Sequence, residues 1–200
     1  MADRDLMDRH TEATARQARI SPRLRAILDD RARRDEGPYE PVVLTRARIE
    51  VLRAFVALII PHTIEGLDIA RRIDAKLAKG SGDGWRAETL PADARAYAKG
   101  LDTLDAAAQA EGSPFATAPG DTQHALLTSI AAGTFIAPAN SGFDAGQMKD
   151  WFDDLRSDAA RIYVAHPAAM AAIDYEGHAN GAAGGAAFEG WSDRMIEDVR

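Results

Sequence analysis

The sequence contains no cysteine. That excludes disulfide staples, thiolate zinc sites, iron–sulfur clusters and a cysteine nucleophile, while leaving the redox compartment open. Serine is scarce, and no Gly-x-Ser-x-Gly elbow is present to carry a hydrolase nucleophile. Neither HExxH nor a histidine pair at i, i+4 beside a carboxylate occurs among His10, His62, His124, His166 and His178. A metal site would have to be assembled from distant histidines, and the simpler expectation is that His62 and His166, beside Pro61 and Pro167, satisfy backbone groups. Gly181, Gly184 and Gly185 follow a dinucleotide-binding pattern only loosely, with no strand before them. The loop at 80–84, Gly-Ser-Gly-Asp-Gly, lacks a phosphate-binding lysine.

Long apolar runs are also missing. Ala54 to Ile60 is too short to span a bilayer. The first forty residues hold no signal-length apolar segment, and Arg33-Arg34 leads into polar Asp-Glu-Gly-Pro-Tyr-Glu. The expected location is therefore cytoplasmic, with periplasmic export alongside a partner as the less favoured alternative. Basic residues are outnumbered 24 to 31, giving a formal net charge of −7, which disfavours a nucleic-acid partner.

What is present suits a soluble globular chain: 200 residues, 46% hydrophobic and 28% charged. Much of the apolar fraction is alanine, so the expected core is helical and close-packed rather than rich in large side chains. Residues 1–40 read as a charged arm, with a weak helical pattern in Leu24, Ile27 and Leu28 and a turn at Gly37-Pro38. Residues 41–200 read as the helical domain.

Within that domain Ile49, Leu52, Val56 and Ile59 recur at helical spacing, and Pro61 closes the segment. Ile69, Ile73 and Leu77 mark a second helix over 64–79, stopped by Gly80. Tyr97, Leu101, Leu104 and Ala108 mark a third, with Pro91 in its first turn. A fourth is expected to start after Pro119-Gly120 with Asp121 as its cap, and to stop at Gly133. Met148, Trp151, Phe152, Leu155, Ala159 and Ile162 stripe a long helix over 144–165, and a short one follows His166-Pro167. No alternating strand pattern occurs. The fold class is all-α, a bundle of five to seven helices with an irregular glycine–alanine-rich tail over 177–190.

Asp150, Asp153, Asp154 and Asp158 lie opposite the apolar stripe of the long helix and read as a solvated acidic face. The aromatic residues are more informative. Trp151, Tyr163, His166 and Pro167, then Tyr175, His178, Phe188 and Trp191, crowd the C-terminal quarter. Trp151 and Phe152 suit a core; Tyr175, Phe188 and Trp191 sit in or beside the glycine-rich tail. These either fold back on the chain's own helices or anchor a partner.

The order of these segments resembles the gluconate 2-dehydrogenase subunit 3 family over 47–191. The shared features run from Ala57-Leu58-Ile59-Ile60-Pro61, Gly66 and Ile73-Asp74 through Tyr97, Gly100-Leu101 and Leu104-Asp105. They continue with Phe115, Gln123, Leu126-Leu127, Ile130 and Gly133, then Trp151-Phe152, Leu155-Arg156, Tyr163, His166-Pro167, Tyr175 and Gly177. The resemblance implies a non-catalytic accessory subunit that stabilises and matures a large flavoprotein of the glucose–methanol–choline (GMC) type, a sugar, sugar-acid or glycoside dehydrogenase. It places FAD and the hydride chemistry in that partner, with no cofactor in this chain, and allows a cytochrome c subunit as electron acceptor. His166, Tyr175 and His178 are the positions that could complete the partner's substrate site. Two features depart from the family: the missing twin-arginine signal, and the glycine–alanine stretch 181–187. The competing readings are a free-standing helical metal-dependent enzyme using His62, His124 or His166, and a helical scaffold or regulatory module.

Overall fold

Every regular element in the computed structural model is helical, and the residues it describes are 22–60, 64–80, 87–173 and 175. The α-helices are α1 (Pro22–Ala32), α2 (Arg46–Ile59), α3 (Ile69–Lys79), α4 (Asp93–Ala110), α5 (Gly120–Ala131), α6 (Ala145–Val164) and α7 (Pro167–Ala172). A 3-10 turn, Phe115–Thr117, sits between α4 and α5. The all-α expectation holds. The described residues form two compact parts, the larger spanning 35–60, 67–80 and 87–163, the smaller 22–34, 64–66, 164–173 and 175.

Local chemistry sets the helix limits. The Thr45 hydroxyl accepts the Arg48 N–H at 3.3 Å to open α2. The Asp68 carboxylate accepts the Arg71 N–H at 3.1 Å to open α3, five residues later than the apolar spacing suggests. The delay has a backbone cause. Gly66 turns the chain at φ 81°, so 64–67 cannot be the first turn of the helix. Pro91 likewise falls just before α4, whose flanking residue is Ala92.

Asp121 does not cap α5. The helix starts one residue earlier, at Gly120, and Asp121 sits in its first turn, where it favours the helix dipole without a capping bond. The other end follows expectation. Gly133, at φ 70°, donates to Ile130 O at 3.0 Å and Thr134 donates to Ser129 O at 2.9 Å, a Schellman closure. Helix α6 opens on a reciprocal pair: Gln147 N–H donates to Asp144 Oδ1 at 2.8 Å, and Asp144 N–H donates to Gln147 Oε1 at 3.3 Å.

The core of the larger part corrects the alanine-based expectation. Its largest fully buried side chains are Trp151, Phe55 and Phe115, and Phe135, Phe143 and Phe152 are buried too. Alanine is abundant at helix contacts, but the aromatic rings fill the centre. Phe55 of α2 meets Trp151 and Phe152 of α6 edge-on, with centroids 5.7 and 5.4 Å apart. Gly100 of α4 lies against the Trp151 indole, whose ring occupies the space where a Cβ would stand. That contact sets how closely α4 and α6 approach.

The acidic face of α6 is also not uniformly solvated. Asp158 is mostly buried and takes the Tyr97 phenol at 2.7 Å and the Lys76 ammonium at 2.6 Å. One carboxylate therefore joins α3, α4 and α6. Burial, and after it the Asp158 charge, raise the Tyr97 phenol well above its ordinary pKa, so it stays a donor. Elsewhere on this face Asp150 accepts the Thr89 hydroxyl and Asp153 pairs with Lys149 and Arg156. Tyr97→Phe should cost about 1.5–3 kcal/mol, the value of a hydrogen bond to a charged group. Chemical denaturation of the variant checks this; an unchanged midpoint would mean that the bond contributes nothing.

In the smaller part α1 packs on α7. Leu24 and Leu28 of α1 are buried, so the apolar stripe among the described residues of the charged arm is covered by the chain itself. Arg34 pairs with Glu65, and its aliphatic stem lies over Gly66.

Candidate partner-docking site

The expected anchors divide between the two parts. Trp151 lies wholly inside the larger core, enclosed by Phe55 and Gly100, and offers no surface to a partner. Its indole N–H has no acceptor, the one buried side-chain polar atom among the described residues so placed. Tyr163 is half-buried against the same core. Both are explained by packing.

His166, Pro167 and Tyr175 belong to the smaller part. His166 is only 3% exposed, and its Nδ1 accepts the Ala168 N–H at 3.1 Å. The ring thus caps α7, which Pro167 begins at its first position. The expectation that His166 satisfies a backbone group holds, and the ring nitrogen that caps must carry a lone pair. Tyr175 is 50% exposed, with its N–H donating to Met170 O at 2.9 Å. Exposed Ile173 and Val164 belong to the same part. His178, Phe188 and Trp191 lie outside the described residues, as do His10 and His62.

One buried acidic group escaped the sequence reading of function. Asp74, on the inner face of α3 and fully enclosed, accepts four hydrogen bonds from residues 39–44. Tyr39 Oη and Val42 N each donate to Oδ2 at 2.6 Å; Val43 N and Leu44 N donate to Oδ1 at 3.1 and 2.7 Å. Three successive amides thus converge on one carboxylate. Burial alone would raise its pKa, but the bonds from Tyr39 and the amides of Val42, Leu44 and Val43 together hold it below the ordinary range. The Tyr39 phenol is pushed up in turn by burial and by its bond to Asp74. The sequence did carry a signal: Asp74 stands four residues after Ala70 and next to Ile73, on a helix face otherwise apolar.

Other carboxylates have similar work. Asp105 accepts the Phe115 N–H at 2.8 Å and so begins the 3-10 turn, while Gln123 Nε2 donates to Phe115 O at 2.7 Å. Asp35 accepts Asp68 N at 3.0 Å and Arg72 Nε at 2.7 Å. His124 is exposed, its Nδ1 bonded to Gly120 O at 2.8 Å. Among the described residues no group of three or more His, Asp or Glu is arranged to hold a metal ion. No helix among them is long and apolar enough to cross a membrane.

These observations define an all-α protein whose buried carboxylates are bonded to the amides and hydroxyls that join its helices and turns. The family model for gluconate 2-dehydrogenase subunit 3 matches residues 46–178, more than half of the chain, and the chain belongs to that family. No curated protein and no solved structure matches it.

Proposed function

We propose that this chain is the non-catalytic small subunit of an FAD-dependent, GMC-type dehydrogenase acting on a sugar, sugar acid or glycoside. Membership of the subunit 3 family carries the reading, since the family name describes one component of a multi-subunit dehydrogenase. The chemistry of the described residues is in keeping with it. Asp74, Asp105 and Asp158 have buried or half-buried carboxylates, and each is engaged in joining elements of the fold. The flavin and hydride transfer are assigned to the large partner subunit, and electrons pass onward from there, with a cytochrome c subunit as a candidate acceptor.

A companion of this kind acts by mass action. A subunit that binds only the folded partner stabilises it by about 2.7 kcal/mol when present at roughly a hundredfold excess over Kd. The large subunit made alone should therefore give soluble, flavin-loaded protein at about a tenth or less of the co-expressed yield. Flavin absorbance per mole of purified large subunit is the readout. Equal yield, loading and turnover without this chain would overturn the proposal.

A further inference from the structure

Between Asp121 and Asp144 there is no Asp, Glu, Lys or Arg, in a chain that is 28% charged. This segment is α5 after its first turn and the loop that follows it, and it is not buried as a unit. Leu127 and Ile130 turn inward, while His124, Ala125, Thr128, Ala131 and Ala132 are exposed. Their spacing of three, four and seven puts them on one helix face, with exposed Asp121 of the first turn as its charged N-terminal edge. The exposed positions of other helices differ: α4 shows Arg95, Lys99 and Asp102, and α6 shows Arg156 and Arg161.

The loop extends this uncharged face with a fixed apolar projection. Ile136 is 87% exposed, yet both of its neighbours are held: Phe135 is buried and Ala137 packs against the core. The start of the loop is closed onto α5 by the Gly133 and Thr134 bonds. Its end is pinned where Ser141 N donates to Pro138 O at 3.0 Å and Phe143 N donates to Thr103 Oγ1 at 3.2 Å. Ile136 is thus displayed by a braced loop, which spares a binding partner the cost of ordering it. Lys149 runs past Gly133 at the rim, its ammonium bonded to Asp153 at 2.8 Å. A charge-depleted centre with a charged rim is the composition of a protein interface.

We infer that the exposed face of α5 from His124 to Ala132, together with Ile136, is the surface on which the large flavoprotein subunit docks, through a patch that is itself free of ionised side chains. The inference rests on the accessory-subunit reading above. Charge selects the occupant. An ionised group set against the centre of this face would lose its water and find no counter-ion there, since Asp121 stands at the edge. Two copies of this chain would each bring a net charge of −7 to the encounter, which opposes self-association and favours a different subunit.

The test uses the full chain co-expressed with the large subunit, comparing wild type with Ile136→Asp and Thr128→Arg. Arg156→Glu serves as the control on a charged face and Tyr175→Ala as the competing surface. Both test positions are exposed, so helix content and Tm should match wild type. Affinity for the large subunit should fall at least tenfold for Ile136→Asp and Thr128→Arg and stay within about twofold for Arg156→Glu. Undiminished affinity in the two face variants would overturn the placement, and loss on Tyr175→Ala alone would move the contact to the smaller part. A dimer of the isolated chain that Ile136→Asp dissolves would overturn the choice of occupant. Failure of the wild-type pair to associate would instead sink the accessory-subunit reading, and the placement with it.

Discussion

Gly100→Ala should destabilise the protein by about 3 kcal/mol, a fall in Tm of roughly 6–12 °C for a domain of this size. The substitution looks mild, because alanine is the better helix former by about 1 kcal/mol. Contact decides against it. An added Cβ would stand 2.2 to 2.5 Å from Cε2, Cδ2 and Nε1 of Trp151, inside the ring's own space. These are atoms of a rigid bicycle and not the free end of a flexible chain. The indole has no room to retreat, since Trp151 is fully buried and Phe55 stands against it. Helices α4 and α6 must therefore separate, or the ring must leave its rotamer. Gly100→Val should be worse and yield little folded protein. A second substitution distinguishes this cause from a general loss of stability. Trp151→Phe removes ring atoms on the Gly100 side and a buried N–H that has no acceptor. It should be less harmful beside Gly100→Ala than in the wild-type background. Additive losses in thermal unfolding would show that the two residues do not meet as described.

Asp74→Ala should cost about 4 kcal/mol, because it strips four donors of one acceptor at once. The amides of Val42, Val43 and Leu44 and the hydroxyl of Tyr39 would be left facing a vacated site, and each unsatisfied buried donor costs about 1–3 kcal/mol. The losses are not additive, since water can reach the Tyr39, Val42 and Val43 donors, whose bonds are part-buried, and only the Leu44 bond is buried. Asp74→Asn should recover little, because an amide brings two donors to a site built wholly from donors. The lead into α2 would then lose its anchor, although Thr45 would still cap the helix.

The same carboxylate predicts a direction for acid unfolding. Its folded pKa is lowered, so the unfolded chain binds this proton more readily than the folded chain does. Its contribution is complete above the ordinary carboxylate pKa and is lost as pH falls through that value towards the lower folded one. Stability of the wild type should therefore drop on that acid limb, and the drop should be shallower in Asp74→Asn. Denaturant midpoints measured across the acid range give the comparison. Parallel wild-type and variant curves would show that Asp74 is not held as the charged form.

The sequence showed most of the fold because helix periodicity and terminators are local. The stripe through Met148, Trp151, Phe152 and Leu155, the stop at Gly133 and the cap at His166 each depend on residues within a few positions. What could not be read locally depends on distant partners. Asp158 looks like the rest of an acidic face until Tyr97 and Lys76 arrive from two other helices. Trp151 suits either a core or a docking surface until Gly100, fifty-one positions away in sequence, proves to accommodate it. The α5 face is an intermediate case. Its lack of charge is plain in the sequence, but only the fold shows that Ile136 stands out between two core-bound neighbours. Of the expected anchors, His166 and Pro167 have a capping role that explains their burial, and Tyr175 remains an exposed aromatic.

The most direct test of the accessory-subunit role is size-exclusion chromatography of this chain co-expressed with the large flavoprotein subunit, following flavin absorbance and both polypeptides across the elution. The expected result is one peak holding both chains and the flavin, with substrate bleaching the flavin in that peak. Elution of this chain by itself, apart from a fully flavin-loaded and active large subunit, would contradict it.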